Sequence, residues 1–325
     1  HPYCRMPMPF FHYGLVFFAF ASAILNAIII FAIYRYRRVN PYLKGSFFGL
    51  ILFHGAADIL LATEFTILMR ARKYRYLDFI LQEGNALWYC LPRITNGLHY
   101  YLKGVIYMGN ILLSSNRFSS AFYPMHYELF WTSKWMLAVR VLAWILPSAY
   151  ILPIVLNFNY SMFYGMGKNN ETVRLDSDDV STQLISYVDG SMSLAATVIC
   201  FVFYALSAYR ISRQMMKHGM QRKHAVEIRL FLSSFFIFVI LSLNAVNQVW
   251  TIIASKQGAA TIVMWLNDLS YPLLDAMYSA NPWILCVTSS AIRDALKRMF
   301  LPARFGKAST VRVVTTTSAL TVSAR

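Results

Sequence analysis

The chain has 325 residues, of which 58% are hydrophobic, 16% aromatic and only 14% charged. A water-soluble domain carries roughly 25% charged residues, so this composition excludes an ordinary soluble fold and points to lipid as the solvent. The formal net charge of +16 would suit a nucleic-acid binder, but the basic residues fall in short blocks between apolar runs. That placement belongs to membrane topology rather than to a phosphate-tracking face, and no nucleic-acid partner is expected.

A bilayer core about 30 Å thick requires about 20 apolar residues in a helix. Seven stretches qualify: Gly14–Tyr34, Ser46–Met69, Ile94–Ser115, Trp135–Phe158, Leu184–Tyr209, Leu230–Ala254 and Ala259–Thr288. They predict an all-α membrane protein, a bundle of seven transmembrane helices joined by loops too short to form a soluble domain. The first stretch is long enough to span in its own right and is not read as a signal peptide. Beyond the seventh, Ile292, Leu296, Met299 and Phe300 share one helical face while Arg293, Lys297 and Arg298 lie elsewhere. This pattern predicts a short amphipathic helix on the inner leaflet. Residues 1–304 then form the membrane domain with that helix, and 305–325 a cytoplasmic tail whose Thr315–Ser318 cluster offers phosphate acceptors.

Two signals orient the bundle. The loops after the first, third and fifth segments, with the tail, hold 19 Lys and Arg, against nine on the opposite side. Basic loops stay cytoplasmic, so the N-terminus is expected outside. The two N-glycosylation sequons, at Asn159 and Asn170, both fall in the loop after the fourth segment, which is extracellular in the same orientation. One loop disagrees: the stretch from Arg70 to Arg93 puts five basic residues on the expected outer side.

The third segment carries a polar stripe, Asn96, His99, Lys103, Tyr107, Asn110, Ser114 and Arg117, which at 100° per residue falls within an arc of about 80°. A polar face in a membrane helix must point into the bundle or a watery cavity. The stripe predicts a ligand cavity above and a switch below. An unpaired charge at mid-membrane costs several kcal/mol, so Lys103 needs a partner, and Asp58, Glu64, Asp189, Asp268 and Asp275 are available. Counted at 1.5 Å per residue, His99, Lys103 and Asp275 share a level in the outer half. The reading favours Lys103 with Asp275, directly or through water, and keeps Asp58, Glu64 and Asp189 as alternatives. The sixth segment adds a matching polar face of Asn244, Asn247, Gln248 and Thr251. The candidate ligand residues are therefore His99, Lys103, Asp275, Asp189, Asn247 and Gln248.

The run from Ser115 through Arg117 to Tyr123-Pro124 and on to Trp131, together with Asn267-Asp268-Leu269-Ser270 onward to Asn281-Pro282-Trp283 and Arg293, resembles the nematode serpentine chemoreceptors of the class-gamma superfamily, which includes class v. The resemblance covers nearly the whole chain through its seven-helix layout. It implies a G-protein-coupled receptor with a small-molecule ligand and a heterotrimeric G protein as partners, no cofactor and no metal. It also implies a multi-pass protein of the plasma membrane, in sensory-neuron cilia. By wider similarity to rhodopsin-like receptors, Arg117 matches the helix-three arginine, Asp58 the helix-two aspartate, Asn26 the helix-one asparagine and Asn281-Pro282 the helix-seven pair. Three departures stand out. Asn116 replaces the acid before the arginine, Leu285 sits where a tyrosine is usual, and the sixth segment lacks the usual aromatic-x-Pro switch.

Cys200 and Cys286 lie inside apolar segments, while Cys4 and Cys90 are expected on the oxidising side. Related receptors bridge a helix-three cysteine to the second outer loop, which here has no cysteine, and a Cys4–Cys90 bridge is the outward pairing available. A retinal-type Schiff base requires a seventh-segment lysine, which is lacking. A membrane zinc hydrolase needs about three clustered ligands, and His54 and His99 are the histidines in membrane segments. The competing class is a channel or transporter that uses the same buried charges as a path.

Overall fold

Seven membrane-length helices follow one another among the described residues of a computed structural model, which are 8–79, 86–132, 134–166, 172–218 and 222–300. They are α1 (Phe10–Tyr36), α3 (Ser46–Glu64, continued as a π-helix over Phe65–Ala71), α4 (Ala86–Phe122), α6 (Lys134–Leu156), α7 (Asp179–His218), α8 (Arg222–Lys256) and α9 (Ala260–Thr288). Two short helices lie in the loops of one end, α2 (Pro41–Lys44) and α5 (Tyr127–Thr132), and α10 (Ser290–Phe300) follows α9. The expected seven-helix architecture is present: five helices outrun their apolar segments as polar turns continue the hydrogen-bond ladder, while α6 and α9 match theirs to within two residues.

On hydropathy alone, five of these helices among the described residues are apolar enough to span: α1, α3 with its extension, α6, α7 and α8. The two that fall short, α4 and α9, carry buried polar side chains, including Asn96, His99, Lys103, Asn110 and Arg117 on α4 and Asp275, Ser279 and Asn281 on α9. Their polarity faces protein, not lipid. Large apolar side chains such as Phe17, Phe20, Phe31, Leu206 and Val246 lie instead on the outer surface of the bundle, where lipid is the favourable contact. Because lipid is as apolar as leucine, helix association rests on close packing and interhelical polar contacts. Glycine supplies part of that packing: a Cβ on Gly97 would stand 2.9 Å from Val155, and one on Gly104 2.0 Å from the Tyr150 hydroxyl, so α4 lies directly against α6.

Between α6 and α7 the chain forms an antiparallel hairpin, β1 (Met162–Met166) with β2 (Val173–Ser177), in which Tyr164 faces Leu175. In the sequence this stretch is the loop after the fourth segment, with no strand expected in it. The hairpin sits over the N-terminal part of α4: the Tyr164 hydroxyl lies 3.2 Å from Thr95 Oγ1, and Asn96 Nδ2 lies 3.5 Å from Met162 Sδ. Arg72 clamps it from the other side by donating to the Val173 carbonyl at 3.1 Å, with its guanidinium over the Tyr164 ring.

The five basic residues that disturbed the orientation count are all engaged within the protein. Arg70, Lys73 and Arg75 pair with Asp275, Asp268 and Asp78. Arg72 and Arg93 spend their guanidinium groups on backbone carbonyls, Arg93 on those of Val155, Asn157 and Tyr160.

At the opposite end the amphipathic α10 forms where the sequence pattern put it. Ile292 and Ala295 are buried, Leu296 and Met299 pack partly against the same cluster as Ile29, Ile33 and Leu43, and Phe300 is exposed. Arg293 folds back and donates to the carbonyls of Cys286 and Val287, at 3.0 and 2.6 Å. It thereby supplies donors to carbonyls at the end of α9 that have no intrahelical partner. The tail from 305 to 325, with Thr315–Ser318, lies outside the described residues, as do Asn170 and Cys4. Asn159 is exposed in the turn before β1, and Cys90 is exposed on α4.

Candidate functional site

Directly beneath the hairpin, three acid–base pairs cross between helices. Glu64, the last residue of α3, meets His99 of α4, with Oε2 3.1 Å from Nδ1. Lys103, one turn below His99 on α4, pairs with Asp189 of α7. Arg70, in the π-helical stretch, pairs with Asp275 of α9 at 2.5 Å. All six side chains are nine-tenths or more buried. The groups around them are mostly aromatic: the His99 ring stacks on Phe65, Arg70 lies over Phe65 and Tyr271, and the Lys103 ammonium lies over Tyr100.

This arrangement corrects one expectation. Lys103 does not pair with Asp275, although the two were placed at one depth. Depth along a helix fixes the level of a charge but not the neighbour it faces. α4 turns Lys103 towards α7, and Asp275 is taken by Arg70 and by the hydroxyl of Tyr278 on its own helix. The partner is Asp189, one of the alternatives kept open.

Arg70 reaches Asp275 because of the π-helix. Asp58 and Arg70 are twelve residues apart, so an uninterrupted α-helix would turn Arg70 about 120° away from Asp58. The wider turns of the π-stretch rotate the chain less per residue and bring Arg70 back to the face where Asp58 meets α9. Both then contact that helix, Asp58 at Asn281 and Arg70 at Asp275.

The polar belt continues downward. Tyr107 donates to Asp189 Oδ1 at 3.2 Å, and Asn244 of α8 donates to the Tyr107 hydroxyl at 3.3 Å and to Ser193 of α7 at 3.4 Å. Asn247 joins α8 to α9 through the Leu266 carbonyl at 3.3 Å, while Gln248 is half-buried beside it on α8. Within the belt, Glu64 Oε1 and two Arg70 nitrogens, Nε and Nη1, are buried with no hydrogen bond among the described residues.

Further along the bundle, Asn281 donates to Asp58 at 3.1 Å and Asn26 donates to the Gly55 carbonyl at 3.1 Å. The helix-two and helix-seven residues singled out in the sequence therefore meet, with Pro282 buried next to Asn281, while Asn26 ties α1 to the α3 backbone at Gly55. Asp58 Oδ1 stands 3.7 Å from His54 Nε2. At the α10 end, the Arg117 guanidinium sits over the Phe47 ring of α3, 3.8 Å from its centroid. Asn116, where an acid was missing, instead binds the short helix α5. It accepts from the Tyr127 hydroxyl at 3.1 Å and donates to Ser46 at 3.4 Å, while Trp131 donates to Ser119 at 2.6 Å.

Sequence reasoning missed Arg70, Tyr278 and Phe47. For Arg70 a signal existed, since its loop was the one that broke the charge rule. For Phe47 none did, because an aromatic residue at a helix start looks like any other lipid contact.

Against known proteins, residues 13–296 match the family model described as Srg family chemoreceptor. Squid rhodopsin, in its crystal structure, superposes with a TM-score of 0.65 over 92% of this chain and 89% of that one, at 15% identity. That likeness concerns the fold alone. No curated protein matches the chain.

Proposed function

Since this chain belongs to the Srg family of chemoreceptors, a family of receptors rather than enzymes, we propose that it binds a small extracellular molecule in the outer half of its bundle and passes the signal to a heterotrimeric G protein. The observation that carries this reading is the belt of three buried acid–base pairs under the hairpin. It joins α3, α4, α7 and α9 at one level. A ligand that binds there exchanges those contacts for its own and so changes the relative energies of two helix arrangements. The unbonded acceptor of Glu64 and donors of Arg70 favour a polar or amphipathic ligand that engages them. His99, Lys103, Asp189 and Asp275, with Asn247 and Gln248 on the adjoining face of α8, are its proposed contacts.

The signal leaves at the other end. Arg117, held on Phe47, is the proposed coupling residue, with Asp58, Asn281 and Pro282 as the switch between belt and mouth. In this reading the hairpin end is extracellular, the α10 end cytoplasmic and the protein a multi-pass resident of the plasma membrane in sensory cilia. The internal engagement of Arg70, Arg72, Lys73, Arg75 and Arg93 supports that orientation, because charges committed to the protein contribute little to a positive-inside count. Glycans at Asn159 and Asn170 and a Cys4–Cys90 bridge belong to the same orientation.

A small-molecule screen against the receptor expressed with a G protein, read by nucleotide exchange, tests the function. Hits should lose potency in Glu64→Gln and Arg70→Gln at matched surface expression. Ligand-gated current in a reconstituted membrane without any G protein would favour a channel instead. A tag fused after Arg325 should stain only in permeabilised cells, and labelling of intact cells would overturn the orientation.

A further inference from the structure

Three basic side chains gather on one aromatic ring at the hairpin end of the bundle. The Tyr271 ring of α9 has the Lys73 ammonium 4.4 Å from its centroid, the Arg70 guanidinium at 5.9 Å and the His12 imidazole at 5.9 Å. Arg70 and Lys73 come from the π-stretch of α3 and the turn after it, His12 from the first turn of α1. Two carboxylates answer two of them: Asp275 pairs with Arg70, and Asp268 with Lys73 at 3.3 Å. His12 is held by packing instead. Its ring lies 5.3 Å from that of Tyr74, so it seats the start of α1 between the end of α3 and α9. The adjacent Tyr13 shares a hydrogen bond with the Tyr76 hydroxyl at 2.7 Å.

A neutral imidazole suits this place, because it can carry its one hydrogen on Nε2 and leave Nδ1 bare. A charged imidazole carries hydrogens on both nitrogens. Nδ1 is buried with no hydrogen bond among the described residues, so its added N–H would be a buried donor without an acceptor. The charge would also be the third positive one around Tyr271. The groups that face His12 are Arg70, Lys73 and Tyr74 from the end of α3, and Asp268 and Tyr271 from α9. His12 lies ahead of the apolar segment that begins at Gly14. Burial, then Arg70 and Lys73, keep its pKa below the ordinary histidine value of 6.5, with Asp268 opposing them. The docked turn therefore binds a proton less readily than a released one. Docking is complete above about pH 6.5 and weakens as pH falls below it.

We propose that His12 is a proton-sensitive latch: neutral, it holds the first turn of α1 on Tyr74 and Tyr271, and charged, it releases that turn from the cation cluster. Arg70 shares the Tyr271 ring with His12 and pairs with Asp275, so release uncovers the hairpin side of the buried belt. In the receptor reading proposed above, on which this consequence alone rests, external acid then tunes the ligand site. The latch itself needs neither ligand nor G protein.

The test is hydrogen exchange of the full-length protein in detergent, read by mass spectrometry over Gly14–Phe17, whose amides bond back to the first turn of α1. Corrected for the intrinsic pH dependence of exchange, the wild type should open about fivefold more at pH 5 than at pH 7.5, the size of one like-charge contact at a partly exposed site. His12→Phe keeps a ring but takes no proton, and should open equally at both pH values. Lys73→Met removes one cation and leaves Asp268 to attract the charged imidazole, so its acid response should shrink or reverse. This second variant keeps the His12 ring and so guards against misfolding of the first. A wild type that is flat across the range, His12→Phe with the wild-type response, or Lys73→Met with the full response would each overturn the proposal. With no ligand or G protein present, the outcome is separate from that of the receptor reading.

Discussion

The two halves of the bundle handle buried polarity differently. In the half under the hairpin, acid meets base: Arg70 with Asp275, Lys103 with Asp189, Glu64 with His99, each pair tying two helices. In the half nearer α10 the contacts among the described residues are of other kinds, and the one acid–histidine approach there, Asp58 to His54, is longer at 3.7 Å. Asp58 is held by the amide of Asn281 and Arg117 lies on the ring of Phe47, while Asn26, His54, Ser279 and Asn281 keep buried polar atoms that make no hydrogen bond among the described residues. A buried ion pair is strongly sensitive to the loss of one partner, because the survivor is left uncompensated. An amide or aromatic contact to a charge is worth less and rearranges more readily. On the reading proposed above, the half under the hairpin responds steeply to a ligand that competes for its charges, and the half nearer α10 moves once it does.

The largest expected effect breaks the outer half. Lys103→Met or Asp189→Asn alone should cost about 3–5 kcal/mol of stability, the penalty for an unpaired buried charge, and the double change should recover most of it. Thermal melting in detergent and surface expression measure this. The same cycle run on Lys103 with Asp275 should be additive, since these residues have different partners, and recovery there would restore the pairing first expected from their common depth.

A smaller effect separates space from charge in the inner half. Gly109→Ala places a methyl group against His54 Nδ1 and should cost about 1–3 kcal/mol through overpacking. Because the clash is with one side chain, His54→Ala in the same chain should relieve it. If the double variant melts as low as Gly109→Ala, the glycine is required by the path of α4 rather than by the histidine.

Smaller still is the restraint on Arg117. Removing the ring in Phe47→Leu forfeits a cation–π contact of about 0.5–2 kcal/mol. About 1 kcal/mol is a fivefold change in a two-state population, so ligand-independent nucleotide exchange should rise by about that factor. Arg117→Ala should instead reduce exchange more than ligand binding. A Phe47→Leu receptor with unchanged basal exchange would mean that the ring only fills space.

These contrasts were partly legible in the sequence. The polar stripe of α4 followed from spacing alone, and the wider likeness to rhodopsin-like receptors singled out Asp58 and Asn281, which the structure brings together. The partner of Lys103 did not follow, because carboxylates on several helices lay within reach and rotation about the helix axis decides among them. Arg70 was hidden more deeply: reading it required knowing that α3 changes pitch after Glu64, and nothing in Phe65–Ala71 announces a π-helix to a count made at 100° per residue. The hairpin was hidden because Met162–Met166 and Val173–Ser177 are short and their pairing is anchored from outside, by Thr95, Asn96 and Arg72.

The smallest expected effect lies at the join between that hairpin and α7, and it titrates. The Asp178 carboxylate accepts from the backbone N–H of Ser181 at 3.0 Å, from its hydroxyl at 2.8 Å and from the backbone N–H of Ser161 at 2.7 Å. It thereby caps the first turn of α7 and holds the start of β1 against it. Those donors, led by the Ser181 N–H, keep its pKa below the ordinary carboxylate value. The folded state therefore binds the proton less readily than the unfolded chain. The stabilisation is present above the unfolded pKa of about 3.9 and is lost as pH falls through the lower folded value. Asp178→Asn keeps a capping oxygen but no charge, so its melting temperature should lie slightly below that of the wild type at pH 7, and the gap should close towards pH 3. Hydrogen exchange at the backbone amides of Ser181 and Thr182 should follow the same course, faster in the variant at neutral pH and alike in acid. A gap that stays constant across that range would assign the cap to hydrogen-bond geometry alone, with no contribution from the carboxylate charge at the helix N-terminus.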